Sequence, residues 1–165
     1  MKRFILPLTA LLLFTGAAAG AAQSKVSDDG CQRLDEKTAA LISQYKELRN
    51  RRRQLPEGKR ERDLDDDGGK LSRVLSTLGE ELGRPPHRKE TIQGCLGEPD
   101  AVRVGESMKA FLGVYERELK KAGRKVEGKS DREYLIYFWR GWHDFLFFIS
   151  EDGLIVDYGW WFAYE

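Results

Sequence analysis

Histidine, cysteine and long apolar stretches are scarce in this chain. Only two histidines, His87 and His143, are present, so a His-based catalytic or metal site has almost no choice of residues. There is no G-x-S-x-G, no H-E-x-x-H and no paired-cysteine metal pattern. A surplus of one charge is also missing. Lys and Arg number 28 against 27 Asp and Glu, a net charge of +1, which excludes a generic nucleic-acid binder. Beyond the first 22 residues no run is long and apolar enough to span a membrane, which needs about 20 residues.

What is present begins with a three-part leader. Lys2 and Arg3 supply a charged start, residues 4–14 an apolar run, and residues 16–22 a series of Gly and Ala containing the A-x-A pattern Ala19-Gly20-Ala21. This is the pattern of a cleaved secretory signal peptide over residues 1–22. A secreted, extracellular or periplasmic protein is expected, with a net charge of −1 once Lys2 and Arg3 are gone. The two cysteines, Cys31 and Cys95, then meet an oxidising compartment and are expected to pair. A link of that span stabilises by roughly 4 kcal/mol in the loop-entropy picture. The alternative is two separate buried thiols.

The remainder reads as α+β. Leu34, Leu41, Ile42, Tyr45 and Leu48 form one stripe of an N-terminal helix over about 31–55, within a segment 23–58. Arg49, Arg51, Arg52 and Arg53 read as its solvated basic end, where they complement the helix dipole. Residues 59–70 form a charged, flexible loop with a single apolar residue, Leu64. The module 71–165 opens with a helix carrying Leu71, Val74, Leu75, Leu78 and Leu82. A short helix over 88–96 follows, then another from Met108 to about 122 and a polar linker. Three strands over 134–139, 145–149 and 154–164 complete an antiparallel meander, with Asp152-Gly153 as a two-residue hairpin signal. The N-terminal helix and this module make one domain, with the helices packed on the meander.

The strands are aromatic on both sides. Of 18 aromatic residues, 13 lie between Tyr134 and Tyr164, including all four tryptophans. A sheet with one wet face alternates apolar and polar residues, and these strands do not. If helices cover one face, the other displays Tyr and Trp, and such a patch marks an interaction surface. Tyr137, Trp139, Trp142, Trp160 and Trp161 are the candidate binding residues, for a protein or a glycan. Helices on both faces, or a homodimer, would instead hide the patch. Residues 134–165 carry a net −4, which favours basic or neutral partners.

Three constellations carry other chemistry. Asp63-Leu64-Asp65-Asp66-Asp67-Gly68 matches the opening of a calcium loop, with Asp63, Asp65 and Asp67 as ligands. Val74 stands where the closing bidentate Glu belongs, so a solvated acidic loop is the competing reading. Trp142-His143-Asp144 places an imidazole beside a carboxylate, with His143 a general base if the protein is catalytic. The basic block from Arg51 to Arg62 could hold a polyanion, although the aspartates after it compete. No cofactor is expected.

Cys95-Leu96-Gly97-Glu98-Pro99-Asp100 closes a short helix ahead of an aromatic meander with an Asp-Gly hairpin. This arrangement resembles the small exported α+β modules of the SmpA/OmlA type and of the β-lactamase-inhibitor-protein type. The resemblance implies a non-enzymatic module that binds other proteins or serves in envelope assembly. The expected function is a secreted or periplasmic binding module. The alternatives are an inhibitor of an extracellular enzyme, a small hydrolase centred on His143 and Asp144, and an envelope scaffold or dimer.

Overall fold

The computed structural model describes residues 31, 34–84, 87–108, 131–140 and 144–163. The leader, the helix expected after Met108, most of its linker, and Trp142 and His143 lie outside these residues. The first helix, α1 (Glu36–Gln54), begins where Asp35 caps it. The Asp35 carboxylate accepts hydrogen bonds from the Thr38 amide (2.9 Å) and the Thr38 hydroxyl (2.7 Å), satisfying a donor the helix leaves open. Those bonds, the hydroxyl's first, lower the pKa of Asp35. The cap explains why α1 starts at Glu36 rather than near residue 31. Thr38, Ile42, Tyr45, Leu48 and Arg49 form its buried face.

The stretch read as a flexible loop contains a one-turn helix, α2 (Arg62–Asp65). Its single apolar residue, Leu64, is wholly buried, and Asp65 is buried beside it. Burial of Leu64 draws the charged segment onto the body of the protein. The Asp65 carboxylate accepts from the Glu61 amide (2.7 Å) and faces Arg52 (3.1 Å). α3 (Lys70–Leu82) carries the expected leucines inward and lies across the sheet, with α1 packed against it. Its approach is close because Gly79 and Gly83 face the sheet. A Cβ on Gly83 would come within 2.2 Å of the Tyr158 ring, and one on Gly79 within 2.9 Å of Leu146. α4 (Lys89–Leu96) buries Ile92, Cys95 and Leu96. The disulfide Cys31–Cys95 ties α4 to the segment ahead of α1, as expected.

Among the described residues the sheet has four antiparallel strands rather than three, in the order β1-β2-β3-β4. They are β1 (Ala101–Val104), β2 (Glu133–Arg140), β3 (Asp144–Glu151) and β4 (Leu154–Trp161). The unexpected strand, β1, pairs Ala101 with Ile136 and Val104 with Glu133. Asp152 (φ 50°) and Gly153 (φ 77°) both take the left-handed backbone a two-residue hairpin needs. The fold is thus α+β, with the described helices α1, α3 and α4 on one side of an antiparallel sheet.

Both faces of the sheet are buried at the centre. On the helical side Leu135, Tyr137, Trp139, Leu146, Phe148 and Ile155 join the core built by α1, α3 and α4. On the other side Tyr134, Ile136, Phe145, Phe147, Ile149 and Met108 form a second buried cluster. A bulge opposite Ile149 and Ser150 shifts the parity of β4. Ile155 therefore enters the same core as Tyr158 and Trp160, whereas uninterrupted alternation would place it on the opposite face.

Candidate functional site

The aromatic residues singled out from the sequence do not form one surface. Tyr137 and Trp139 sit under the helices, at 0% and 1% exposure, because the odd-numbered side of β2 is the side α3 covers. They are core residues, which corrects their reading as surface contacts. Trp160 flanks the same core and stacks on Phe162, with ring centroids 5.8 Å apart and planes at 14°. Trp161 lies on the opposite face against Phe145 (6.4 Å). Trp142 lies outside the described residues.

Asp144, the carboxylate expected beside His143, is fully buried. Its Oδ2 accepts from Arg140 Nε (2.5 Å) and its Oδ1 from the Ala163 amide (2.8 Å). These bonds tie the segment just beyond β4 to the adjoining ends of β2 and β3. The calcium candidates disperse in a similar way. Asp65 turns inward to Arg52 and Glu61, while Asp63 pairs with Lys70 (3.0 Å). Asp67 is exposed. Among the described residues no three acidic, His or Cys side chains gather where they could hold a metal ion.

What the structure does assemble is a cleft between the last turns of α1 and the end of β2. Its volume is about 310 Å³, and it is lined by Arg49, Arg52, Arg53 and Asp100 above Leu71 and Trp139, with the backbone of Phe138 at its border. Arg49 was read as part of a solvated helix end, yet it is buried. Its guanidinium donates to Leu96 O (2.9 Å), Glu98 O (2.8 Å) and Asp100 Oδ1 (2.6 Å). It also lies over the rings of Tyr45 (5.8 Å) and Tyr137 (5.5 Å). Burial works against its charge, but Tyr45, Asp100 and Tyr137 more than offset this, so its pKa stands above the ordinary arginine value. Burial likewise raises the phenol pKa of Tyr45 and Tyr137 well above the usual range, despite the nearby Arg49.

Asp100 is the hub of this region. Oδ1 receives Arg49 and, at 3.4 Å, Arg53, while Oδ2 accepts the Phe138 amide (2.9 Å). Arg52 is shared with a neighbouring cleft of about 290 Å³, where Lys59, Arg60 and Arg140 add positive charge and Glu57 and Asp65 negative. Elsewhere the basic block is compensated locally, as Arg51 pairs with Glu61 and Arg62 with Asp66. Sequence reading missed Arg49 and Asp100. The available signal was that Arg49 falls seven residues after Ile42 and four after Tyr45, on the buried stripe.

Among the described residues no helix is long and apolar enough to cross a membrane. No protein-family model, curated protein or solved structure matches the chain.

Proposed function

We propose that the protein is an exported, non-catalytic binding module that takes a protein partner along the β4 edge of its sheet. One observation carries this reading. The strongly exposed large apolar side chains among the described residues all lie on or just beyond the two edge strands: Val102 and Val104 on β1, and Leu154 (43%), Val156 (40%) and Phe162 (40%) along β4, whose first residues are bridged by His87 and Arg88 so that the stretch from Val156 onward is the docking edge. Exposed apolar side chains grouped on an edge strand are a recognised means of docking another chain.

Side-chain chemistry favours a protein over a glycan. Leu154 and Val156 present branched alkyl groups rather than flat rings. The Phe162 ring is already stacked on Trp160 and set edge-on to Trp139 (6.4 Å). A sugar needs a free ring face, whereas a peptide packs against branched side chains. The leader-like residues 1–22 and the Cys31–Cys95 disulfide support export. The resemblance to exported protein-binding modules of the SmpA/OmlA and β-lactamase-inhibitor-protein types points the same way.

The test is quantitative affinity capture from the extracytoplasmic fraction of the source cells. The baits are the native chain, a Val156→Glu/Phe162→Glu variant and a His143→Ala variant. The expected result is a discrete protein lost about tenfold or more on the edge variant, the scale of a hot-spot disruption, and retained on His143→Ala. Equal recovery on all three baits would overturn the edge assignment. Concentration-dependent dimerisation abolished by the edge variant would replace the partner with a second copy of this chain.

A further inference from the structure

The cleft beneath the end of α1 has a composition the edge-binding role does not use. We propose that it is a binding site for a small organic oxyanion, a carboxylate or phosphate group attached to an apolar body.

The charge on its walls is unbalanced. Three guanidiniums, those of Arg49, Arg52 and Arg53, face one carboxylate, Asp100. That carboxylate is already committed, with one oxygen shared by two arginines and the other holding the Phe138 amide. Arg52 finds its counter-charge outside the cleft, in Asp65. Arg53 is left with a 3.4 Å contact to an oxygen that Arg49 holds at 2.6 Å, and its side chain is 60% exposed. It is therefore free to swing onto an incoming anion and donate through two N–H groups, the geometry that suits carboxylate and phosphate alike.

The floor supplies the other half of the recognition. Leu71 and Trp139 supply apolar surface beneath the charges, while Phe138, whose ring lies on the other face of the sheet against Phe145, borders the cleft with its backbone amide at Asp100. Trp139 also brings a polar group of its own. Its indole N–H is buried and has no hydrogen-bond acceptor, an uncommon condition for a buried donor. Because that nitrogen is buried and Trp139 lines the cleft, its signal serves as a reporter of binding there rather than as a ligand contact. The wall is rigid as well, because Arg49 is pinned by three acceptors on the α4–β1 connection. A preorganised cationic wall over a low-dielectric floor favours an anion with an apolar portion over a fully hydrated inorganic ion. The volume of about 310 Å³ stands at the lower end of ligand-site sizes, which fits a single ring or short chain.

The test is a titration of the full chain followed by two-dimensional ¹H–¹⁵N NMR, reading the Trp139 indole N–H and the arginine side-chain N–H signals. The probes are benzoate and phenyl phosphate, with benzamide and inorganic phosphate alongside. The expected result is a saturable shift of the Trp139 indole signal with benzoate or phenyl phosphate. Arg53→Gln should weaken it about tenfold, the change expected for one charge-assisted hydrogen bond. Whichever of the two probes binds tighter identifies the carboxylate or the phosphate as the natural group. The Arg53 side chain is mostly solvated, so its replacement leaves the fold intact, and the dispersion of the amide spectrum verifies that. No saturation by about 10 mM of either organic anion, a range where even weak sites fill, would overturn the proposal. Equal affinity for benzamide, equal affinity for inorganic phosphate, or binding unchanged in Arg53→Gln would overturn it too.

Discussion

Arg49 joins three parts of the fold, and its removal offers a direct measure of what holds them. The guanidinium donates to Leu96 O and Glu98 O on the α4–β1 connection and to Asp100 Oδ1, while the Asp100 amide donates to Ile136 O of β2 (2.8 Å). In Arg49→Met a side chain of similar length keeps the packing between Tyr45 and Tyr137 but leaves two carbonyls and a carboxylate without their donor. Breaking a buried ion pair from one side costs about 3–5 kcal/mol. Here the Asp100 side chain keeps 22% exposure and still receives Phe138 N and Arg53, which places the cost near the lower end, about 3 kcal/mol. In urea unfolding, with a slope of about 1.5 kcal/mol/M, the midpoint should fall by about 2 M without a change in slope. Arg49→Lys can reach only part of the acceptor set and should lose about 2 kcal/mol. A double-mutant cycle with Asp100→Asn should return a coupling of about 1–3 kcal/mol, because the two side chains share one network. If Arg49→Met stays within about 0.5 kcal/mol of the native chain at unchanged slope, then Arg49 does not hold these three parts of the fold together.

Three further outcomes follow from neighbouring contacts. Tyr137 donates to Gly97 O (3.1 Å) while the buried Tyr45 hydroxyl has no partner, so Tyr137→Phe should cost about 1 kcal/mol and Tyr45→Phe should be neutral or slightly stabilising by chemical denaturation. Burial raises both phenol pKa values in the folded state. The folded chain then holds protons that the unfolded chain releases above about pH 10, so this contribution is intact below that pH and falls as pH rises further. Spectrophotometric titration should show both tyrosines ionising only as the protein unfolds, and Tyr45→Phe/Tyr137→Phe should flatten the alkaline loss. Gly83→Ala would ordinarily be mild at a helix end, but here the new methyl meets the Tyr158 ring at 2.2 Å. A loss of about 2 kcal/mol or more is expected by thermal unfolding, with partial rescue by Tyr158→Leu.

Local chemistry made several elements legible in the sequence. The hairpin follows from Asp152-Gly153, because a two-residue turn needs left-handed backbone that Gly and Asp tolerate. The helices α3 and α4 follow from their leucine and isoleucine spacing, and the disulfide from two cysteines behind a leader-like segment. What stayed hidden depends on distant partners. β1 is four residues, Ala-Val-Arg-Val, with no turn pair of its own, and it exists because β2 offers it an edge. Arg49 looks like one more member of a basic run, and only the peptide carbonyls of a connection some fifty residues away make it a buried staple. Leu64 in turn looks too isolated to order the charged segment, yet it is wholly buried.

The sheet shows why aromatic crowding alone did not locate a binding surface. Continuous apolar strands imply that both faces are shielded, but they do not say which face the helices take. The structure puts Tyr137 and Trp139 on the helical side, and the bulge in β4 then carries Ile155 to that same side. A sheet that uses both central faces for its core has its borders left for recognition. At one border, β4, aliphatic and aromatic side chains remain exposed, and the chemistry there is apolar. At the α1–β2 corner the charged end of a helix meets the end of a strand, and the chemistry is cationic over an aromatic floor. These two places differ in charge and meet at the Phe162–Trp139 contact, so a change at Val156, which does not line the cleft, should leave it untouched and a change at Arg53 should leave the edge untouched. Additivity of the Val156→Glu and Arg53→Gln effects on partner capture and on benzoate binding would establish that independence. A coupling beyond about 0.5 kcal/mol would mean that edge and cleft form a single surface.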